Sequence, residues 1–233
     1  MTVSSEFTGF PRECPEFFAE LAKNNSKNWF EAHRDDYEEY VMNPARSFVV
    51  TLGERLRKIA PGINADPRVN KSLFKIHRDT RFSKEKTPFK TNLGILFWEG
   101  DLPRMESSGF YFHVEGKKMM LATGIYMFQK AHLEAYRKSV ADKKLGASLE
   151  KVLKNTTRDK KIEIGGKHYK RVPRGFDPDY KHARYLLHNR LYVYRNSPIP
   201  KEFYTPKLVD YSLEQFRKMA PLHRWLVDMT ERM

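Results

Sequence analysis

The sequence has a single cysteine, Cys14, among 233 residues. No disulfide can close within the chain, and no multi-cysteine zinc site can form. Cys14 precedes Pro15 at an expected helix start, where a thiol pKa can fall. A reactive thiol also needs exposure and a charged partner, so the residue reads as a small helix-edge side chain. Long apolar runs are missing too, with nothing near the roughly 18 to 20 uninterrupted apolar residues of a membrane span. The opening "MTVSSEFTGFPREC" lacks the basic and then apolar blocks of a signal peptide. The expectation is a soluble, cytoplasmic protein with no membrane partner. The eight histidines form no H-x-x-x-H or H-E-x-x-H pattern, so no preformed zinc site is expected. The G-x-S-x-G elbow and the G-x-G-x-x-G turn are both absent, which argues against the common hydrolase and dinucleotide folds. The residues name no cofactor.

Acids are scarce relative to bases. Against 43 Lys and Arg stand 29 Asp and Glu, a net charge of +14. The excess is uneven. Residues 1–50 are acidic, with nine carboxylates against five cations, whereas 71–90 hold seven cations against two carboxylates and 151–174 hold nine against two. Two separate basic clusters point to a nucleic-acid, phosphate or acidic-substrate surface more strongly than net charge alone does.

The chain is long enough to bury a core without disulfides or metal. Its first quarter is helical by pattern. "CPEFFAELAKNNSKNW" places Phe17, Phe18 and Leu21 at helical spacing, and Ser26 or Asn25 can cap a second helix carrying Trp29, Phe30, His33 and Tyr37. Asn43-Pro44 reads as a third helix start and Pro61-Gly62 as its end. Period two then takes over in "LGILFWE", "GFYFHVE", "MMLATGIYMF" and "RLYVYR". Gly116-Lys117 reads as a hairpin turn, and "KIEIGGKHYKRV" as a second hairpin turning at Gly165-Gly166. Helical stretches recur at 131–141, 145–154, 182–188, 207–219 and 221–231. With no repeat and no linker, the expected architecture is one α+β domain over 1–233. It would have a helical part at about 14–60, a mainly antiparallel sheet at about 70–195 and closing helices at about 200–231.

The segment "FKIHRDTRFSKEKTPFKTN" carries the densest charge. Read as a strand from Phe74 to Ser83, it puts Phe74, Ile76, Arg78, Thr80 and Phe82 on one face, and Lys75, His77, Asp79 and Arg81 on the other. Arg78 is then drawn toward the core and must be paired, by another element or by a bound anion. Pro88 stops the strand. The loop before it offers Ser83, Lys84, Lys86, Thr87, Lys90 and Thr91, hydroxyls and ammoniums together, which is phosphate-binding chemistry without the glycines of a P-loop.

"RDTRFSKEKTPFKTNLG", preceded by "RVNKSLFKI", "FTGF" and "NPARSFV" and followed by "GFYFHVE", "KRVPRGFDPD" and "MAPLHRWL", resembles the bacterial family known as domain of unknown function 2461. The likeness covers nearly the whole chain and rests on an R-x-x-R-D-x-R-F signature. Lys75, Glu85 and Phe89 stand where the family tends to have Arg, Asp and Tyr. The resemblance implies a globular fold of about this length and assigns no activity.

Three functional readings follow. In the first, Arg78 and Arg81 clamp a phosphate-bearing or polyanionic ligand, with Lys84, Lys86 and Lys90 neutralising it and Lys170 and Arg171 extending the basic surface. In the second, the same arginines hold a small anionic substrate for an enzyme whose acid or base is Asp79, His77, His113 or Glu115. Glu115-Gly116-Lys117 would serve a metal nuclease only with a further carboxylate, for which Asp79 is the nominee. In the third, the arginines and aspartates form a folding lattice, and function lies in partner binding. Asp179 reads as the cap of a helix near Tyr180. Trp29, Trp98, Tyr111, Phe112 and Tyr126 would stack bases if they faced the basic strip, although aromatics at these periods usually fill cores.

Overall fold

The computed structural model describes residues 6–81 and 84–233. Phe82 and Ser83, placed above on the expected strand, lie outside these residues. Apolar residues at helical spacing bury Phe17, Phe18 and Leu21 along α1 (Glu13–Lys23). Cys14 is buried on the same helix, and that burial pushes its thiol pKa up rather than down. The Ser26 hydroxyl accepts from Trp29 N–H and opens α2 (Lys27–Ala32).

The next helical run departs from expectation. From α3 (Arg34–Asp36) a π-turn over Tyr37–Met42 leads straight into α4 (Asn43–Leu56), so Asn43-Pro44 is not a fresh start. Pro44 has no N–H and its ring crowds the carbonyl four residues back. The wider turn just ahead accommodates both deficits.

Strands β1 (Ile63–Asn64), β2 (Asn92–Glu99), β3 (Gly109–Glu115) and β4 (Lys118–Ile125) follow, then α5 (Lys130–Ala141), α6 (Lys143–Thr156), β5 (Glu163–Lys167), β6 (His188–Pro198) and α7 (Leu208–Glu231). The antiparallel sheet has the order β1-β2-β3-β4-β6-β5, with helices beside it, as an α+β protein requires. Gly116-Lys117 is the expected tight turn between β3 and β4.

Three local readings are corrected. Gly165-Gly166 is not a turn but part of β5, paired antiparallel with β6 across a register shift between Gly165 and Lys167. A Cβ on Gly165 would fall 2.3 Å from the Tyr192 ring, and one on Gly166 2.1 Å from the Arg190 carbonyl oxygen. The glycines are there for close approach, not for reversal. Residues 208–231 form one helix through Pro221, because the buried positions Phe216, Met219, Leu222, Trp225, Leu226 and Met229 keep helical spacing across it. No helix begins near Tyr180. A short 3₁₀ turn forms at Ala183–Leu187, and it is Asp177, not Asp179, whose carboxylate serves the local turn by accepting from Asp179 N–H.

The chain divides into two compact units. One comprises the residues up to Phe97 with Tyr111–Leu121 and Asn196–Glu214. The other comprises Trp98–Phe110, Ala122–Arg195 and Gln215–Met233. The first is built on phenylalanine: Phe10 stacks on Phe203 at 4.8 Å and Phe48 meets Phe112 at 4.9 Å. The second buries Tyr136, Leu149, Leu153, Leu191, Val193 and Trp225 together. Among the described residues, no helix is long and apolar enough to cross a membrane.

Candidate functional site

The basic segment lies in the first unit, and its backbone follows from its alternation of apolar and polar residues. Leu73 bridges Ile95, Phe74 N–H donates to Gly94 C=O, and His77 bridges Phe89. Arg78 N–H donates to Pro88 C=O and Lys90 N–H to Ile76 C=O, both at 2.8 Å. Residues 73–78 therefore run antiparallel to 88–95, with a register change between Phe74 and Ile76. This is a broken ladder that stops at Arg78, whereas strict alternation implied a strand continuing through Asp79, Thr80 and Arg81. Buried Leu73, Ile76 and Phe89 hold its inner side. Among the described residues the ladder ends at the Arg78–Pro88 bond, since Asp79, Thr80 and Arg81 form no strand and Pro88 lacks a donor.

A residue far away in sequence pins the second leg. The Asn25 side chain accepts from Phe89 N–H and donates to Phe89 C=O, each at 3.0 Å, and so stands in for a strand neighbour. Phe30 stacks on Phe89 at 4.4 Å. From sequence, Asn25 has only a local role, as a candidate cap of the second helix. Nothing in the sequence connects Asn25 with a residue 64 positions on.

Arg78 finds its partner in its own loop. Its Nη1 lies 2.8 Å from Glu85 Oε1 and 3.0 Å from Thr87 Oγ1, and the Thr87 hydroxyl donates to the same Glu85 oxygen at 2.7 Å. Asp79 faces away, as alternation implied, and takes Arg81 in a fork: Nε to Oδ1 at 2.9 Å and Nη2 to Oδ2 at 2.7 Å. Lys86 Nζ caps Thr80 C=O, and Lys90 Nζ donates to Lys75 C=O above the Phe74 ring. None of this is sealed from water: side-chain exposure is 30% for Arg78, 59% for Glu85, 51% for Asp79 and 77% for Arg81. Arg81 holds the Asp79 carboxyl well below its ordinary range. The Thr87 hydroxyl, and then Arg78, lower that of Glu85. Lys84 is exposed on the same loop, and His77 sits beside the Phe89 ring at 5.1 Å.

The loop runs through Thr91 into β2, next to a polar row on β3. Tyr111, His113 and Glu115 alternate outward while Phe110, Phe112 and Val114 are buried. His113 Nδ1 is 3.1 Å from the Tyr111 hydroxyl and 3.4 Å from Asn92 Nδ2, and its Nε2 is 3.7 Å from Glu115 Oε2. Among the described residues, no group of three or more His, Cys, Asp or Glu side chains is arranged to hold a metal. Lys170 and Arg171 are exposed but belong to the second unit.

Burial holds the His113 and His188 imidazoles below the ordinary value of 6.5, against opposing pulls from Glu115 and from the Tyr185 carbonyl. Unfolded, both take up protons near 6.5, whereas folded they stay neutral to lower pH. The unfolded state therefore binds more protons in that window, and stability falls as pH drops through it. Thermal unfolding from about pH 7.5 down to about 5.5 will show a falling Tm, and His113→Gln will flatten the slope. A Tm that rises on acidification would contradict the burial of these rings.

A family model described as "Conserved hypothetical protein (DUF2461)" matches residues 13–225, which include every site residue named above. The chain belongs to the DUF2461 family. No curated protein matches it.

A second polar constellation in this DUF2461 chain escaped sequence reading altogether. In the second unit, His223 bridges Ser108 and Glu99, with Nδ1 2.9 Å from Ser108 Oγ and Nε2 2.6 Å from Glu99 Oε2. The carboxylate accepts a hydrogen bond from Nε2–H, so Nδ1 accepts from the serine hydroxyl. Ser108 and His223 are 2% and 1% exposed, which makes the triplet an interior hydrogen-bonded relay rather than an open nucleophile site. Its members come from β2, the residue before β3 and α7, 124 residues apart at the extremes, so no local motif announces it.

Proposed function

We propose that this DUF2461 protein binds a phosphate-bearing or polyanionic ligand on the basic segment of its first unit. Arg78 and Arg81 would supply the forks, and Lys84, Lys86 and Lys90 the neutralising charge. One observation carries the reading: the arginine pairs are solvent-accessible on a backbone that the core pins in place. Exposed ion pairs add little to stability, so a folding lattice gives weak reason for this density of charge. Seven cations on residues 71–90 face only Asp79 and Glu85 as carboxylates in that stretch. A phosphate offers more charge and more acceptor oxygens than either carboxylate. It can take over an arginine fork that is already oriented.

Calorimetric titration with inorganic tripolyphosphate tests the reading. Binding is expected at low salt, weakening as salt rises. Arg81→Ala should reduce affinity about tenfold or more, the loss of a charge-assisted fork, while shifting Tm by less than about 3 °C as exposed positions do. A clear drop in Tm with unchanged affinity would favour the lattice instead.

A further inference from the structure

The second unit has an aromatic surface that the basic loop does not use. Along β6, Leu191 and Val193 are fully buried, so Arg190, Tyr192 and Tyr194 lie on the opposite face of the sheet. Tyr126, just past the end of β4, joins them and is 55% exposed. Ring centroids of Tyr126 and Tyr192 are 6.0 Å apart, those of Tyr192 and Tyr194 5.8 Å, and the Arg190 guanidinium lies 4.9 Å from the Tyr126 ring centre.

The rings are held in place. Tyr192 lies across Gly165, whose missing side chain leaves room for it, so one ring face rests on backbone. The Tyr194 hydroxyl donates to Glu163 Oε2 at 2.9 Å. Packing on a glycine explains Tyr192 alone. It explains neither an exposed Tyr126 nor an arginine laid over it.

We infer that this face is a stacking platform for the bases of single-stranded nucleic acid. Bases stack on aromatic rings without sequence preference, and arginine adds a cation over the same π surface. Charge complementarity selects this occupant over a protein partner. The cluster at 151–174, nine cations against two carboxylates, belongs to the same unit. Exposed Lys167 ends β5, the strand paired with β6, and Lys170 and Arg171 follow it, also exposed. Rings for bases and cations for phosphates thus belong to one unit. The inference does not rest on the basic loop of the first unit.

The test is a fluorescence-anisotropy titration of the full chain with a labelled oligodeoxythymidylate of about 15 nucleotides, with the matching duplex and polyglutamate as competitors. Wild type should bind the single strand and be displaced poorly by either competitor. Tyr126→Ala, at an exposed position that leaves the fold intact, should weaken binding about fivefold or more, and Tyr126→Ala with Tyr192→Leu about thirtyfold or more, the salt dependence staying the same. Lys170→Ala with Arg171→Ala should instead reduce the slope of affinity on salt. No binding of the single strand overturns the inference, as does efficient displacement by duplex or polyglutamate. Equal affinity of the tyrosine variants and wild type also overturns it. In that last case, a loss on Arg81→Ala would leave the loop reading standing.

Discussion

Asn25→Ala will lower the melting temperature by roughly 5 to 10 °C and weaken tripolyphosphate binding at the same time. Asn25 touches no ligand in the proposed site; it is a positioning residue. Its amide satisfies both backbone groups of Phe89, which is 2% exposed. With alanine there, a buried N–H and a buried C=O lose their partner, each costing about 1–3 kcal/mol. The Pro88–Lys90 leg then loosens, and with it the frame that sets Arg78, Thr87 and Glu85 against one another. Asn25→Asp separates the two bonds, because a carboxylate still accepts from Phe89 N–H but cannot donate to Phe89 C=O. Thermal unfolding and calorimetric titration of the two variants check this. Wild-type Tm and affinity in Asn25→Ala would show that the ladder bonds of Pro88 and Lys90 and the Phe30 packing hold the leg without Asn25.

His223→Ala has the largest expected effect on stability. It withdraws the imidazole from Glu99, 15% exposed at the side chain, and from Ser108, both within the second unit. Removing the imidazole takes this partner from a nearly buried carboxylate and from a buried hydroxyl, each loss costing about 1–3 kcal/mol and more for the charged group, or a fall in Tm on the order of 10 °C for a chain of this size. Glu99→Gln keeps the shape and an acceptor for His223 Nε2–H while removing the charge, so it should cost less. The double variant should cost less than the sum of the two single changes, because they act on one contact. Strict additivity in that cycle would mean that His223 and Glu99 do not depend on each other. The contrast with Arg81 is physical: the same types of group contribute little in water and a great deal once water is excluded.

What the sequence revealed divides along the same line. Strands at 92–99 and 109–115 and the helix at 13–23 follow from local period, since each element buries residues that its own spacing announces. Pro44 and Pro221 misled because packing on both sides outweighs a missing N–H. The Gly165-Gly166 pair suggested a turn, yet the need for glycine came from the Tyr192 ring and the Arg190 backbone across the strand pair. The loop residues Arg78, Asp79, Arg81, Lys84, Lys86 and Lys90 were visible as a charged segment with a stopping proline. Who pairs with whom was not, because Glu85 and Asp79 are both close enough in sequence to reach either arginine. Asn25 and the Glu99–His223 contact were invisible, being tertiary hydrogen bonds between residues 64 and 124 positions apart.

The central claim is that the arginine forks at Arg78 and Arg81 receive an anion. A crystal structure grown in high phosphate tests it most directly. The predicted result is a phosphate held between Arg78, Arg81 and the Lys84–Lys90 loop, with Arg81 turned at least partly from Asp79. Arg81 still forked onto Asp79, Arg78 still on Glu85, and no anion beside either at high phosphate would contradict it.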